Sequence, residues 1–84
     1  MNAEQLQDAE NAGRRLATVL LDAGYSKEFV CSQVPCRGTA SQARSEARHW
    51  AQLGRQDYAL HRLALAWARK AGALTVLEER EAAQ

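Results

Sequence analysis

The chain has no isoleucine, a single proline among its 84 residues, and few valines and threonines. β-Branched side chains pack best on a pleated surface, so their scarcity leaves no credible pair of strands. No stretch approaches the roughly 18 apolar residues that span a bilayer. No apolar N-terminal run reads as a signal peptide, so the chain is expected to be cytoplasmic. Its two cysteines are then expected as thiols rather than a disulfide. A glycine-rich phosphate loop and a paired-carboxylate motif are both missing, and a cysteine with distant histidines is a weak nucleophile signature. Neither an enzyme nor a cofactor is expected.

A metal site is also poorly supported. Cys31 and Cys36 have four residues between them, and His49 and His61 lie far apart on different predicted helices. Structural zinc sites favour two to four residues between paired cysteines, which puts this pair at the upper limit, and closely spaced histidines, which this chain does not have. Buried thiols fit these positions better than zinc ligands.

What is abundant points one way. Seventeen alanines, with leucine, arginine, glutamine and glutamate, make up most of the chain, and these lose least on entering a helix. An all-α fold follows, a small bundle of about five helices in one domain over residues 1–84. A chain of this length is near the lower limit for an independent core, so a second copy of itself is a natural source of stability.

The formal net charge is only +1, but its distribution is uneven. Residues 1–13 carry Glu4, Asp8 and Glu10 with no lysine or arginine. Residues 71–84 carry Glu78, Glu79 and Glu81 against Arg80. The middle, 14–70, holds ten basic residues against four acidic ones. A basic centre between acidic ends suits a face that meets a polyanion, and ordinary scatter of surface charge gives the same count.

Periodicity divides the chain into segments. Leu6, Ala9, Gly13, Leu16, Leu20 and Ala23 recur at steps of three and four, predicting a helix over about 3–23 that stops at Gly24. Ser26 can cap a short second helix over about 27–33, with Phe29 and Val30 as buried anchors, which Pro35 ends. Thr39 can cap a third helix ending near Gly54, with Ala40, Ala43, Ala47 and Trp50 facing inward. Asp57 can cap a fourth, from Tyr58 to about Ala71. Its stripe is Leu60, Leu63, Ala64, Trp67 and Ala71, after which Gly72 is expected to break or kink the chain. A short fifth helix would carry Leu74 and Leu77 before a frayed acidic tail, Glu78–Gln84.

The third helix carries the chemistry. The stretch "CRGTASQARSEARHW", residues 36–50, holds three arginines with serine, threonine and glutamine. Arg37, Ser41, Arg44 and Arg48 recur at steps of four, three and four, with Gln42 and Ser45 beside them. Two helices joined by a short turn, the second basic and rich in hydroxyls and amides, describe a helix-turn-helix over about 26–53. Arginine can bridge two acceptors of guanine, and glutamine can pair with adenine. Thr39 and Ser41 lie where a helix N-terminus can hold a phosphate.

At "FVCSQVPCRGTASQA", residues 29–43, the sequence resembles the helix-turn-helix of small plasmid-encoded repressors of the TrfB-KorA type, and its size and C-terminal helical extension resemble the KorC type of the same plasmid regulons. That resemblance implies a homodimer on a palindromic operator of double-stranded DNA, silencing plasmid maintenance genes. It assigns Arg37, Ser41 and Gln42 to recognition. The chain departs from the common pattern at the helix contact, where it has Val30, Val34 and Pro35, while Ala40 replaces the usual branched residue.

The fourth helix is apolar over more than half its circumference, which predicts a dimer interface within residues 58–77 through Leu60, Leu63, Leu65, Trp67, Leu74 and Leu77. Trp50 and Trp67 fall on apolar stripes and read as packing residues rather than base-stacking platforms. For Arg14, Arg15, Arg55, Arg69 and Lys70, phosphate contact and simple solvation are equally compatible with the sequence. The competing functional reading is a small helical module, such as a phage or plasmid inhibitor, that presents its basic helix to an acidic protein.

Overall fold

The computed structural model describes residues 2–54 and 56–84, which form four helices: α1 (Ala3–Asp22), α2 (Lys27–Gln33), α3 (Ala40–Leu53) and α4 (Tyr58–Ala82). The all-α expectation holds. The helix starts follow from local chemistry: the Asn2, Ser26, Thr39 and Asp57 side chains each accept a hydrogen bond from a backbone N–H of the first turn. At Asn2 and Thr39 the cap is reciprocal, because the Gln5 and Gln42 side chains return a bond to the cap backbone. α1 closes with paired bonds from Gly24 N–H to Leu21 O and from Tyr25 N–H to Leu20 O.

The expected fifth helix does not exist as a separate element. α4 runs through Gly72 for 25 residues, and the tail continues as helix to Ala82. The glycine serves a crossing instead. A Cβ at Gly72 would overlap the Glu10 carbonyl oxygen, and a Cβ at Gly13 would overlap that of Arg69. The backbones of α1 and α4 touch at this pair of glycines, and no larger residue fits either position.

α4 is the central element, with α1 on one side and α3 on the other, while α2 packs on α1. Residues 10–14 of α1 lie beside 69–73 of α4, and Asp22 pairs with Arg80, so the two helices run parallel. α3 runs antiparallel to α4, from Ala40 beside Glu78 to Gly54 beside Leu60. Two connected cores result. One joins Ala17, Val30, Val34, Ala73, Val76 and Leu77. The other joins Ala40, Ala43, Ala71 and Leu74, with Trp67 against it. Cys36 packs on both.

Several facing assignments are corrected. Phe29 is exposed and stacks on Tyr25 with ring centroids 4.5 Å apart, so Val30 alone anchors α2 from within, joined by Val34 beyond its end. Leu16 is exposed, and the buried line of α1 passes through Gly13 and Ala17. Leu63 also faces outward, and the inner line of α4 passes through Ala64, Ala68 and Ala71. Each error is a rotation of the stripe by about one position. Small residues lie at the crossings because helix axes approach closely there, which pushes larger neighbours to the margin.

The acidic tail is not frayed. Glu79 pairs with Arg14 at 3.3 Å, Arg80 with Asp22 at 2.7 Å, and Glu81 with Lys27. The hydrogen bond from Lys27 to Glu81 holds the ammonium above its ordinary pKa range. Among the described residues no helix is long and apolar enough to cross a membrane.

Candidate nucleic-acid interface

α3 owes its placement to alanine. Ala40, Ala43 and Ala47 are buried against α4, which lets the two axes approach closely. Trp50 is half-buried at the far end, where its Nε1–H donates to Glu46 at 3.0 Å. With the inner face fixed in this way, Ser41, Gln42, Ser45, Arg48, His49 and Gln52 are exposed. His49 and Gln52 extend the row that starts at Ser41 and Ser45. The same count of four, four and three residues from Ser41 would have found them in the sequence.

The predicted recognition residues separate into two groups. Arg37, Thr39, Ser41, Gln42, Ser45 and Arg48 are all exposed. Arg44 is not part of the outer row. Its Nε donates to Glu10 Oε1 at 2.7 Å, and its terminal nitrogen donates to Thr75 Oγ1 at 3.3 Å. The Glu10 side chain is only 15% exposed and that of Arg44 38%, so this partly buried pair ties α3 to α1. An arginine held this way is a structural cross-brace.

The N-terminus of α3 is also largely occupied. Glu78 of α4 accepts a hydrogen bond from Ala40 N–H at 2.7 Å, which puts a carboxylate at the positive end of the helix. The Thr39 hydroxyl accepts from Gln42 N–H at 3.1 Å, and the Gln42 side-chain oxygen accepts from Thr39 N–H at 3.0 Å. The expected phosphate position at Thr39 and Ser41 therefore already holds one anion and a closed capping box. Gln42 keeps its side-chain NH₂ as an outward donor.

Among the described residues, Arg14, Lys27, Arg44 and Arg80 are committed to ion pairs, whereas Arg15, Arg37, Arg48, Arg62, Arg69 and Lys70 make none. Arg37 and Lys70 line one open cavity with Trp67, and the Lys70 ammonium lies 4.3 Å from the Trp67 ring centroid. Arg62 sits 6.0 Å over the Tyr58 ring. Arg48 flanks a separate small cleft between α1, α3 and α4. Arg55, also a candidate phosphate contact, lies outside the described residues.

The proposed dimer face needs one firm correction. Leu74 and Leu77 are 7% and 4% exposed and belong to the cores of a single chain, so they are not available to a partner. Leu60, Leu65 and Trp67 are half-buried and Leu63 is exposed. The sequence could not separate these sets, because both lie on apolar stretches of one continuous helix. Among the described residues no group of three or more histidines, cysteines or acidic residues could hold a metal ion.

α2 and α3 have little direct contact, since α2 rests on α1 and α3 on α4. The brace behind the exposed face of α3 is therefore α4. Compared with family models, with curated proteins and with solved structures, the chain finds no match in any of the three.

Proposed function

We propose that the chain is a sequence-specific DNA-binding repressor that acts as a homodimer on a palindromic operator, with α2 and α3 as its helix-turn-helix. One observation carries this reading: α3 is anchored through alanines on one side and exposes a row of side-chain donors and acceptors on the other. Ser41, Gln42, Ser45, Arg48, His49 and Gln52 make a face with no apolar residue, of the kind that base edges and phosphates can meet. Arg37 is exposed in the turn before α3, close to the helix N-terminus with which recognition helices reach the groove. Phosphate contacts from Arg37, Arg48 and neighbouring cations supply most of the affinity and make it fall steeply with salt. Plasmid maintenance genes as targets rest on the resemblance of residues 29–43 alone.

The dimer contact in this reading uses the exposed part of α4 near Tyr58 and Leu63, together with Leu53. Those three side chains are 76%, 37% and 58% exposed.

The test is binding to the DNA upstream of the chain's own gene, measured by fluorescence anisotropy with excess competitor DNA. Arg48→Ala is expected to weaken specific binding by about 1–3 kcal/mol. Gln42→Glu keeps the acceptor that caps α3 but adds a negative charge, so it lowers affinity while leaving the helix intact. Wild-type affinity in both variants would remove the outer row of α3 from the interface.

A second reading, a helical module that docks on another protein, draws on the exposed Val19, Tyr25 and Phe29 around the α1–α2 turn. Apolar surface of that kind is more useful to a protein partner than to DNA. Binding that competitor DNA abolishes regardless of sequence would favour this alternative.

A further inference from the structure

Cys31 lies in the last turn of α2, and Cys36 follows Pro35 in the connection to α3. Their Sγ atoms are 3.5 Å apart, with the Cys36 thiol donating to the Cys31 sulfur. Both side chains are half-buried and face an open cavity of about 360 Å³ that also exposes Arg37, Trp67 and Lys70. No third ligand completes a metal site among the described residues. The pair is thus a two-thiol unit, open to small solutes, in a cavity that Arg37 and Lys70 also line.

We propose that Cys31 and Cys36 form a reversible oxidation site that closes to an intramolecular disulfide when hydrogen peroxide reaches the cavity. The Cys31 thiolate attacks one peroxide oxygen and the O–O bond breaks, leaving a sulfenic acid on Cys31 and hydroxide, which takes up the thiol proton as water. Cys36 then loses its proton and attacks the Cys31 sulfur. The S–O bond breaks, a second water leaves, and the S–S bond forms. Two thiols are oxidised by two electrons in all, and one peroxide is reduced to two waters.

Geometry assigns the order of these roles. Cys36 holds its proton tightly: burial first, and then its hydrogen bond to Cys31, push its pKa up to about 11. Cys31 is the acceptor of that bond and therefore the sulfur prepared to attack. Closure requires the sulfurs to approach from 3.5 Å to about 2.05 Å. Cys31 is held in a helix, so rotation of the side chains and adjustment of the connection around Cys36 supply the approach. Cys36 packs on both cores, and its chain neighbours are Arg37, Gly38 and the Thr39 cap of α3. In this proposal oxidation constrains the segment that orients the start of α3. This consequence rests on α3 being the DNA-contacting helix, whereas the chemistry of the pair does not.

The test uses the full chain, fully reduced and then treated with a small excess of hydrogen peroxide. Intact-mass spectrometry is expected to show the loss of two hydrogens, peptide mapping to place the link between Cys31 and Cys36, and a dithiol reductant to reverse it. In Cys36→Ser, dimedone is expected to trap a sulfenic acid on Cys31. In Cys31→Ser, trapping at Cys36 is expected to be far slower. Oxygen addition without loss of hydrogen in the wild type, or disulfide-linked dimers instead, would overturn the site. In the DNA arm, the oxidised form is expected to bind about tenfold more weakly than the reduced form, about 1.4 kcal/mol. Equal binding by both forms would overturn the link to α3. A disulfide that forms in a chain binding no DNA in either state supports the oxidation site and defeats the repressor reading.

Discussion

Two stretches of α4 have a similar share of apolar residues and lead different lives. Residues 58–70 bury only a narrow line of alanines and leave Tyr58, Leu63, Arg62 and Arg69 in solvent. Residues 71–77 are buried almost all round, because α1, α2 and α3 converge on them. Beyond them, each charge from Glu78 to Glu81 is used: one caps α3 and three form ion pairs with α1 or α2. Apolar content does not distinguish the two stretches. The number of neighbouring helices does, and it also decides which leucines hold the chain together and which remain for another molecule.

The comparison can be broken hardest at the crossing. Gly72→Ala places a methyl group against the Glu10 carbonyl, and is expected to cost about 3 kcal/mol or more by chemical denaturation. In an ordinary helix interior the same change would instead stabilise by about 1 kcal/mol, so the sign of the effect decides whether the backbones touch.

Next comes a matched pair of leucine truncations. Leu77→Ala is expected to destabilise the chain by about 2–4 kcal/mol whatever the protein concentration. Leu63→Ala should cost under about 1 kcal/mol in the same measurement. Sedimentation equilibrium should show it weakening self-association, which Leu77→Ala affects only through unfolding. Comparable losses at the two positions would erase the distinction between the stretches.

The smallest effects lie in the acidic end. Glu78→Ala removes a carboxylate from the N-terminus of α3 and is expected to cost about 1 kcal/mol. Glu79→Ala breaks only an exposed ion pair with Arg14, and should fall within about 0.5 kcal/mol. Thermal melts at low and high salt would separate the two, since the screened pair should lose what little it contributes.

Much of the fold was legible because its determinants are local. Asn2 aside, the caps at Ser26, Thr39 and Asp57, the stop at Gly24 and the break at Pro35 all act within a few residues, and the ends of α2 and α3 fall where those signals place them. Facing directions were harder. Leu16, Phe29 and Leu63 lie at the margins of their stripes, where the size of a neighbouring helix decides burial and local sequence does not. The two glycines that differ most in role make the same point. Gly24 is followed at once by a new cap, Ser26, whereas Gly72 sits between alanines in an unbroken helical run. Thr75 and Glu78 even offer a cap pattern after Gly72, so only the contact with α1 shows that α4 continues.

In the candidate interface, the exposed row followed from counting residues. The diversion of Arg44 to Glu10 and the arrival of Glu78 at α3 did not, because each joins residues more than thirty positions apart.

The glycine contact between α1 and α4 has a kinetic meaning. It joins the first helix of the chain to the last, and the ion pairs beside it link residues 54 to 65 positions apart. During synthesis α1 emerges early but has only the short α2 to settle on until α4 is made. Loop closure over that span comes before most of the packing that rewards it. The helices by themselves are then transient, and the domain is expected to fold in a single concerted step when its two ends meet.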